Sequence, residues 1–134
     1  MTNYKYGKRS LTKLNEAEPV LKELFIRALW NSPEDIAVIE GHRTKEDQDK
    51  AVSLGNSKVK WPHSKHNKLP SQAVDAVPYP IDWGNRARFE SLAEHIKSVW
   101  AQMESEGATG DWKLEWGGNF KSFYDGPHWQ IVKK

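Results

Sequence analysis

The sequence predicts an α+β fold in which helices pack on a small antiparallel sheet. Three observations support this class: apolar residues recur at helical spacing in long segments, short apolar segments alternate with them, and Gly and Pro occupy the connections. The chain has 134 residues, the size of one ordinary domain, so we expect residues 1–134 to form a single domain. Hydrophobic residues make up 37% of the chain and charged residues 28%, a balance typical of a folded globule.

The N-terminal half is predicted to contain three helical segments and one strand. Apolar spacing indicates helix over residues 10–30, broken near Pro19, because proline suits the first turn of a second helix. Alternating apolar residues predict a strand at 35–41. A helix is expected over 44–54, since Thr44 and the carboxylate three residues later resemble a capping box.

The C-terminal half is predicted to contain one long helix and three short strands. The helix is expected over residues 85–106, where apolar side chains form a single stripe. Short strands are expected at 73–77, 113–116 and 128–132, with a Gly-rich loop joining the last two. The apolar stripe of the helix comprises Phe89, Leu92, Ala93, Ile96, Val99, Trp100 and Met103.

Composition excludes several classes of site and partner. Cysteine is absent, which excludes disulfides, thiolate metal sites and thiol nucleophiles, so a transition metal would need His, Asp and Glu ligands. The formal charge of +2 is too small for a dedicated nucleic-acid binder. No apolar run is long enough for membrane insertion, and none follows the basic N-terminus as in a secretory signal. We therefore expect a protein made in a cytoplasm. Separately, we expect it to be a monomer.

Three residues could supply a metal site. His66 and Asp75 are nine positions apart, joined by a polar loop that allows the chain to fold back. His128 follows a Gly-Pro turn that could bring it towards Asp125. Two imidazoles and one carboxylate form a reasonable catalytic zinc set, with a fourth position left for a water that Asp125 could deprotonate. The alternative is three separate polar groups, and spacing alone leaves both interpretations open.

A further candidate lies where a strand is predicted to end and a helix to begin. Arg43 at this point could hold a substrate carboxylate or a developing oxyanion, or it could form a surface ion pair with an acid such as Glu46. Gln48, one helical turn beyond Thr44, could support this corner. His95 is expected at the surface or boundary of the long helix, without a functional role.

Three short segments occur in an order that is specific as a set. They are Ser64-Lys65-His66, Ala73-Val74-Asp75 and Asp125-Gly126-Pro127-His128. This order resembles the S-x-H…A-x-D…(E/D)-x-x-H signature of the VanY-like zinc peptidases, which include D-alanyl-D-alanine carboxypeptidases and dipeptidases. The chain most resembles the small L-alanyl-D-glutamate peptidases that bacteriophages use as endolysins. Further elements fit the pattern across residues 10–132, namely Gly41-x-Arg43-Thr44, Gln48 and Trp116-Gly117-Gly118.

The resemblance implies both a fold and a chemistry. The fold would be the α+β fold shared with the hedgehog signalling domain, and the substrate would be the stem peptide of bacterial peptidoglycan. One zinc ion would be bound by His66, Asp75 and His128. Asp125 would act as general base, and Arg43 would bind the substrate or the transition state. The candidate substrate-binding residues are Ser64, Gln48 and Trp116. The enzyme would be stored in the host cytoplasm and released to the wall by a separate membrane-permeabilising protein.

The sequence departs from the family pattern at two points. The loop between His66 and Asp75 is longer than in many members, and Asp125 stands where many members have Glu. Because Asp is one methylene shorter, the backbone of Asp125 must approach the metal more closely. Glu115 is an alternative base and His63 an alternative ligand, although neither fits the family order.

Other functions remain compatible with the sequence. A D,D-carboxypeptidase or dipeptidase would cut D-Ala-D-Ala in the same polymer, or another peptidase of the wall would cut at diaminopimelate. A non-catalytic zinc-binding module of the same fold would bind the ion without lysing the wall. A wall-binding or nucleic-acid-binding module built on exposed Trp and Lys would need no metal.

Overall fold

The computed structural model describes residues 4–134, which form four α-helices, four strands and two short 3₁₀ turns. The helices are α1 (Lys8–Leu14), α2 (Pro19–Ala28), α3 (Lys45–Ser53) and α4 (Arg86–Ser105). The strands are β1 (Asp35–Glu40), β2 (Ala73–Tyr79), β3 (Trp112–Trp116) and β4 (His128–Lys133). The 3₁₀ turns are Lys65–Asn67 and Gly117–Asn119. This architecture confirms the predicted α+β class.

The strands form one antiparallel sheet in the order β1-β2-β4-β3. The pairing of β2 with β4 places Asp75 directly opposite His128. On the other side of β2, a register irregularity in β1 places Glu40 opposite Asp75. The sheet therefore brings together Glu40, Asp75 and His128, which lie far apart in the sequence. They meet where the pairing of β2 with β4 ends.

Strand β2 is longer than the sequence predicted, because it continues through Pro78 to Tyr79. The backbone N–H of Ala76 points towards β4, where it donates to the carbonyl of Pro127. The nitrogen of Pro78 lies on the same side two residues later, beyond the last β2–β4 pair at Asp75. Proline removes no ladder hydrogen bond there, so it does not end the strand.

The core lies between the sheet and helices α2 and α4. The predicted stripe of α4 faces it, with Val99 half-buried and the other six side chains buried. Trp129 is 1% exposed and lies in edge-to-face contact with Phe25 and stacked on Trp116. Large aromatic rings bury enough apolar area to stabilise a small domain that has no disulfide. In the part of the chain that is described, no helix is long and apolar enough to cross a membrane.

Candidate metal centre and active site

His66 is held by a short turn and a backbone carbonyl. The hydroxyl of Ser64 accepts the backbone N–H of His66 at 3.1 Å, and the side chain of Asn67 accepts the N–H of Ser64 at 3.0 Å, completing a capping box. The ring is 2% exposed, and its Nδ1 lies 2.7 Å from the carbonyl oxygen of Gly41. A carbonyl can only accept, so Nδ1 carries the proton and the neutral ring presents the Nε2 lone pair.

His128 is fixed by two further side chains of the sheet. Its Nε2 lies 2.7 Å from Oε1 of Gln130, and Nε2 of Gln130 donates to Oε1 of Glu115 at 2.7 Å. The carboxylate of Glu115 can only accept, so it turns the amide of Gln130 until its oxygen faces His128. Nε2 of His128 then donates, and the neutral ring presents the Nδ1 lone pair.

The carboxylate of Asp75 meets both imidazole lone pairs. Its Oδ1 lies 3.3 Å from Nε2 of His66 and 3.4 Å from Nδ1 of His128. One ligand atom from each residue lies within 4.8 Å of the others. Within residues 4–134, His66 Nε2 and Asp75 Oδ1 are buried without a hydrogen-bond partner. Burying acceptor atoms without a hydrogen-bond partner costs folding free energy. A cation bound between the converging lone pairs would offset that cost, so His66, Asp75 and His128 fit a metal ion.

Arg43 lies beside this group and is held on three sides. Its Nε lies 3.3 Å from Oε2 of Glu40, and its Nη1 donates to Oε1 of Gln48 at 3.0 Å. Its Nη2 lies 3.7 Å from Oδ2 of Asp75, the oxygen that faces away from the imidazoles. Gln48 is fully buried, as expected of a residue that supports this corner. The acidic side-chain partners of Arg43 are therefore Glu40 and Asp75, and not Glu46.

A tight turn places Asp125 beside His66, Asp75 and His128, which we call the metal group. Its backbone N–H donates to the carbonyl of Gly117 at 3.0 Å, and the indole N–H of Trp116 donates to the carbonyl of Gly126 at 2.7 Å. Oδ2 of Asp125 lies 4.0 Å from Nδ1 of His128. The short aspartate side chain thus reaches the group, as the departure from Glu requires.

The ionisable groups of the site shift one another's pKa. Burial raises the pKa of the Asp75 carboxyl, but the facing imidazoles of His66 and His128, in their protonated forms, outweigh burial and hold that pKa well below its ordinary value. Burial lowers the pKa of His128, but its contact with Asp75 outweighs burial and raises it. Burial and the charge of Asp75 raise the pKa of Asp125. Asp75 is therefore a carboxylate ready to bind a cation, and Asp125 is a stronger base than an ordinary aspartate.

A family model and several known proteins match the chain over most of its length. The family model described as phage L-alanyl-D-glutamate peptidase matches residues 2–132. The chain belongs to that family. Membership confirms the predicted family and the predicted class of enzyme, a peptidase of the phage endolysin type.

Three L-alanyl-D-glutamate peptidases resemble the chain over 97% or more of its length. The L-alanyl-D-glutamate peptidase of Escherichia phage T5 is 28% identical, and the match covers 97% of this chain and 99% of that protein. The enzyme of the same name from Listeria phage A118 is 33% identical over 100% of this chain, which spans only 44% of that protein. The crystal structure of the Serratia marcescens L-Ala D-Glu endopeptidase ChiX has a TM-score of 0.77 and 27% identity, with 97% of this chain and 92% of that chain covered.

The metal group of this family member opens into a pocket of about 320 Å³. Arg43, Ser64 and Asp125 line it, whereas Gln48 lies behind Arg43 and Trp116 lies beneath the turn of Asp125. His63 also lines the pocket but is not one of the three residues whose ligand atoms converge. Of the sequence-predicted set, the fold therefore brings together the three candidate metal ligands, Asp125 and Arg43.

Sequence reasoning missed four residues around the pocket. Gln130 and Glu40 hold His128 and Arg43 respectively, and Phe120 and Phe123 form an aromatic wall. Gln130 had a usable signal, because residues two apart on a strand share a face. A histidine that binds a metal through one nitrogen needs a hydrogen-bond acceptor for its other nitrogen. The two phenylalanines lie in an irregular loop, where no periodicity indicates their direction.

Proposed function

We propose that this chain is a zinc-dependent peptidase that hydrolyses the L-Ala–D-Glu bond of the peptidoglycan stem peptide. One observation carries the proposal: in a member of the phage L-alanyl-D-glutamate peptidase family, two imidazole lone pairs and one carboxylate oxygen converge beside a pocket. Two nitrogen ligands and one oxygen ligand suit zinc and leave a position for water.

His66, Asp75 and His128 would hold the ion. Zinc at this position supplies Lewis acidity for the scissile carbonyl and for the attacking water. The protein fixes the ligands in advance, because Gly41 and Gln130 set the tautomers of the two histidines.

Asp125 would accept the proton of the attacking water. Its raised pKa suits that role, since a base is most effective when its pKa approaches the working pH. The same carboxyl would then pass the proton to the amine of the departing D-Glu. Both transfers leave Asp125 ionised at the end of the cycle.

Arg43 would stabilise negative charge that develops on the substrate, or bind its carboxylate. Its contacts with Glu40 and Gln48 hold the guanidinium in one orientation at the pocket. Ser64, Gln48 and Trp116 would then act by positioning His66, Arg43 and the turn of Asp125.

Two synthetic peptides test the specificity. An N-blocked peptide containing L-Ala–D-Glu should be cut between these residues, whereas a peptide ending in D-Ala–D-Ala should remain intact. Release of terminal D-Ala would identify a D,D-carboxypeptidase instead. Zinc binding without cleavage of either peptide would identify a non-catalytic module.

The cellular setting follows from the same proposal. The protein would act on the wall as a monomeric, single-domain catalytic unit, stored in the host cytoplasm and released by a separate membrane-permeabilising protein. Expression alone should leave host cells intact, and co-expression with such a protein should lyse them. Lysis by the chain alone would contradict the dependence on a second protein.

A further inference from the structure

A second cavity of about 460 Å³ adjoins the catalytic pocket. We call it the lysine groove, after Lys97 and Lys121, which line it together with Glu115, Trp116, Asn119 and Phe120. Phe120 lines both cavities, and its ring centroid is 5.6 Å from that of His128. Phe120 therefore lies between His128 and the lysine groove.

The two cavities also meet at a hydrogen-bonded pair. Gln130 lines the catalytic pocket and Glu115 lines the lysine groove, and their side chains are joined at 2.7 Å. In this pair, Oε1 of Glu115 accepts a hydrogen bond from the side-chain amide of Gln130. Glu115 is the acidic residue among the described residues that line the groove. The carboxylate of Glu115 is therefore held by Gln130, and it contributes one negative charge to the groove lining.

The lysine groove carries an excess of positive charge. Across residues 4–134, neither Lys97 nor Lys121 forms a salt bridge with an acidic residue. The ammonium group of Lys97 instead lies 4.9 Å from the ring centroid of Trp116. Two ammonium groups without acidic partners at the rim of a cavity favour an anionic ligand.

The proposed substrate is anionic on one side of the scissile bond. D-Glu enters that bond through its amine and retains two carboxyl groups, of which the onward chain uses one. L-Ala contributes only a methyl group on the other side. If the proposed function is right, the acidic portion of the substrate therefore begins immediately after the bond that is cut.

From continuity and charge together, we propose that the lysine groove binds the acidic peptide on the D-Glu side of the scissile bond. Lys97 and Lys121 pair with its carboxylates, and the side chain of Asn119 is placed to bond its peptide groups. The proposal deepens the proposed function by assigning a binding site to the departing half of the substrate.

Direct binding tests the groove without requiring cleavage. Calorimetric titration with a D-Glu-initiated acidic peptide, the expected product, compares the wild-type protein with the Lys97→Gln/Lys121→Gln double variant. We expect the Kd to rise about tenfold, because the variant removes two exposed ion pairs with the peptide. Lys113→Gln is the matched control, because Lys113 is an exposed lysine of β3 that does not line the groove.

Cleavage of an N-blocked L-Ala–D-Glu peptide is measured on the same proteins. The double variant should raise KM and leave kcat within about twofold, because the lysines do not touch the metal group. The proposed role of the lysine groove would be wrong if the double variant had unchanged Kd and KM. It would also be wrong if the wild-type protein bound the peptide equally tightly with its carboxylates amidated. Lysine-dependent peptide binding by a protein that cuts no L-Ala–D-Glu bond would support the groove and contradict the proposed function.

Discussion

Glu115 and Gln130 lie opposite each other on β3 and β4, and their hydrogen bond determines which nitrogen of His128 faces Asp75. Glu115 orients the amide of Gln130, and the amide oxygen accepts from Nε2 of His128. The sheet register thus sets the tautomer of a proposed metal ligand from two residues away. The sheet register, more than the local sequence, therefore orients His128 within the proposed metal site.

Gln130→Leu should weaken zinc binding about 10-fold to 100-fold, the usual effect of removing the hydrogen-bond partner of a metal-binding histidine. The substitution leaves Nε2–H of His128 without its acceptor and frees the ring to present either nitrogen. Competition with a chromophoric chelator measures the affinity. Gln102→Leu, on the exposed face of α4, serves as the control. An unchanged zinc affinity in Gln130→Leu would show that Gln130 does not set the tautomer of His128 needed for zinc binding.

The individual ligand variants His66→Ala, Asp75→Ala and His128→Ala should each lose zinc on dialysis. Each substitution removes one of the three convergent donors and leaves too few protein ligands for tight binding. Metal content by mass spectrometry reports the result. His63→Ala should retain the ion, because His63 lines the pocket without joining the group. If one of these variants retains stoichiometric zinc, the residue that it replaces is not a zinc ligand.

Asp125→Asn should retain zinc and the fold but lose turnover by about 10²-fold to 10⁴-fold, since the amide cannot accept the proton of the attacking water. Steady-state kinetics on an L-Ala–D-Glu peptide gives the rate, and thermal unfolding checks the fold. Asp111→Asn, an exposed aspartate before β3, should be unaffected. Near-normal turnover in Asp125→Asn would assign the base to another group.

Gly117→Ala should destabilise the protein by about 1–3 kcal/mol and reduce turnover, because the new methyl group would clash with the backbone of Asp125. The turn that carries Asp125 and His128 would have to move. Chemical denaturation measures the free energy of unfolding. Gly84→Ala is the control, because its nearest neighbour lies at an ordinary contact distance of 3.6 Å. Equal stability of the two variants would show that the turn tolerates displacement.

The sequence predicted the elements whose signal is local. The apolar stripe of α4 repeats at helical spacing, and its buried side chains follow that period. The break near Pro19 and the N-cap at Thr44 also depend only on neighbouring residues, and both are present. Strand β2 was predicted too short, because the tolerance of Pro78 depends on where β4 stops pairing.

The candidate site was predictable only in part for the same reason. His66, Asp75 and His128 stand in an ordered set of short motifs, so family resemblance could group them before any geometry was known. Gln130 and Glu40 act through neighbours that the sheet register supplies. Phe120 joins two cavities only because its loop folds back over His128, and no pattern in the chain indicates that path.

Zinc-dependent cleavage of the L-Ala–D-Glu bond is tested most directly by mass spectrometry of purified peptidoglycan digested by the protein, first after chelation and again after zinc is restored. We expect fragments that begin with D-Glu, their disappearance on chelation and their return with zinc. Fragments produced by loss of terminal D-Ala, or D-Glu fragments that persist after complete removal of metal, would contradict it.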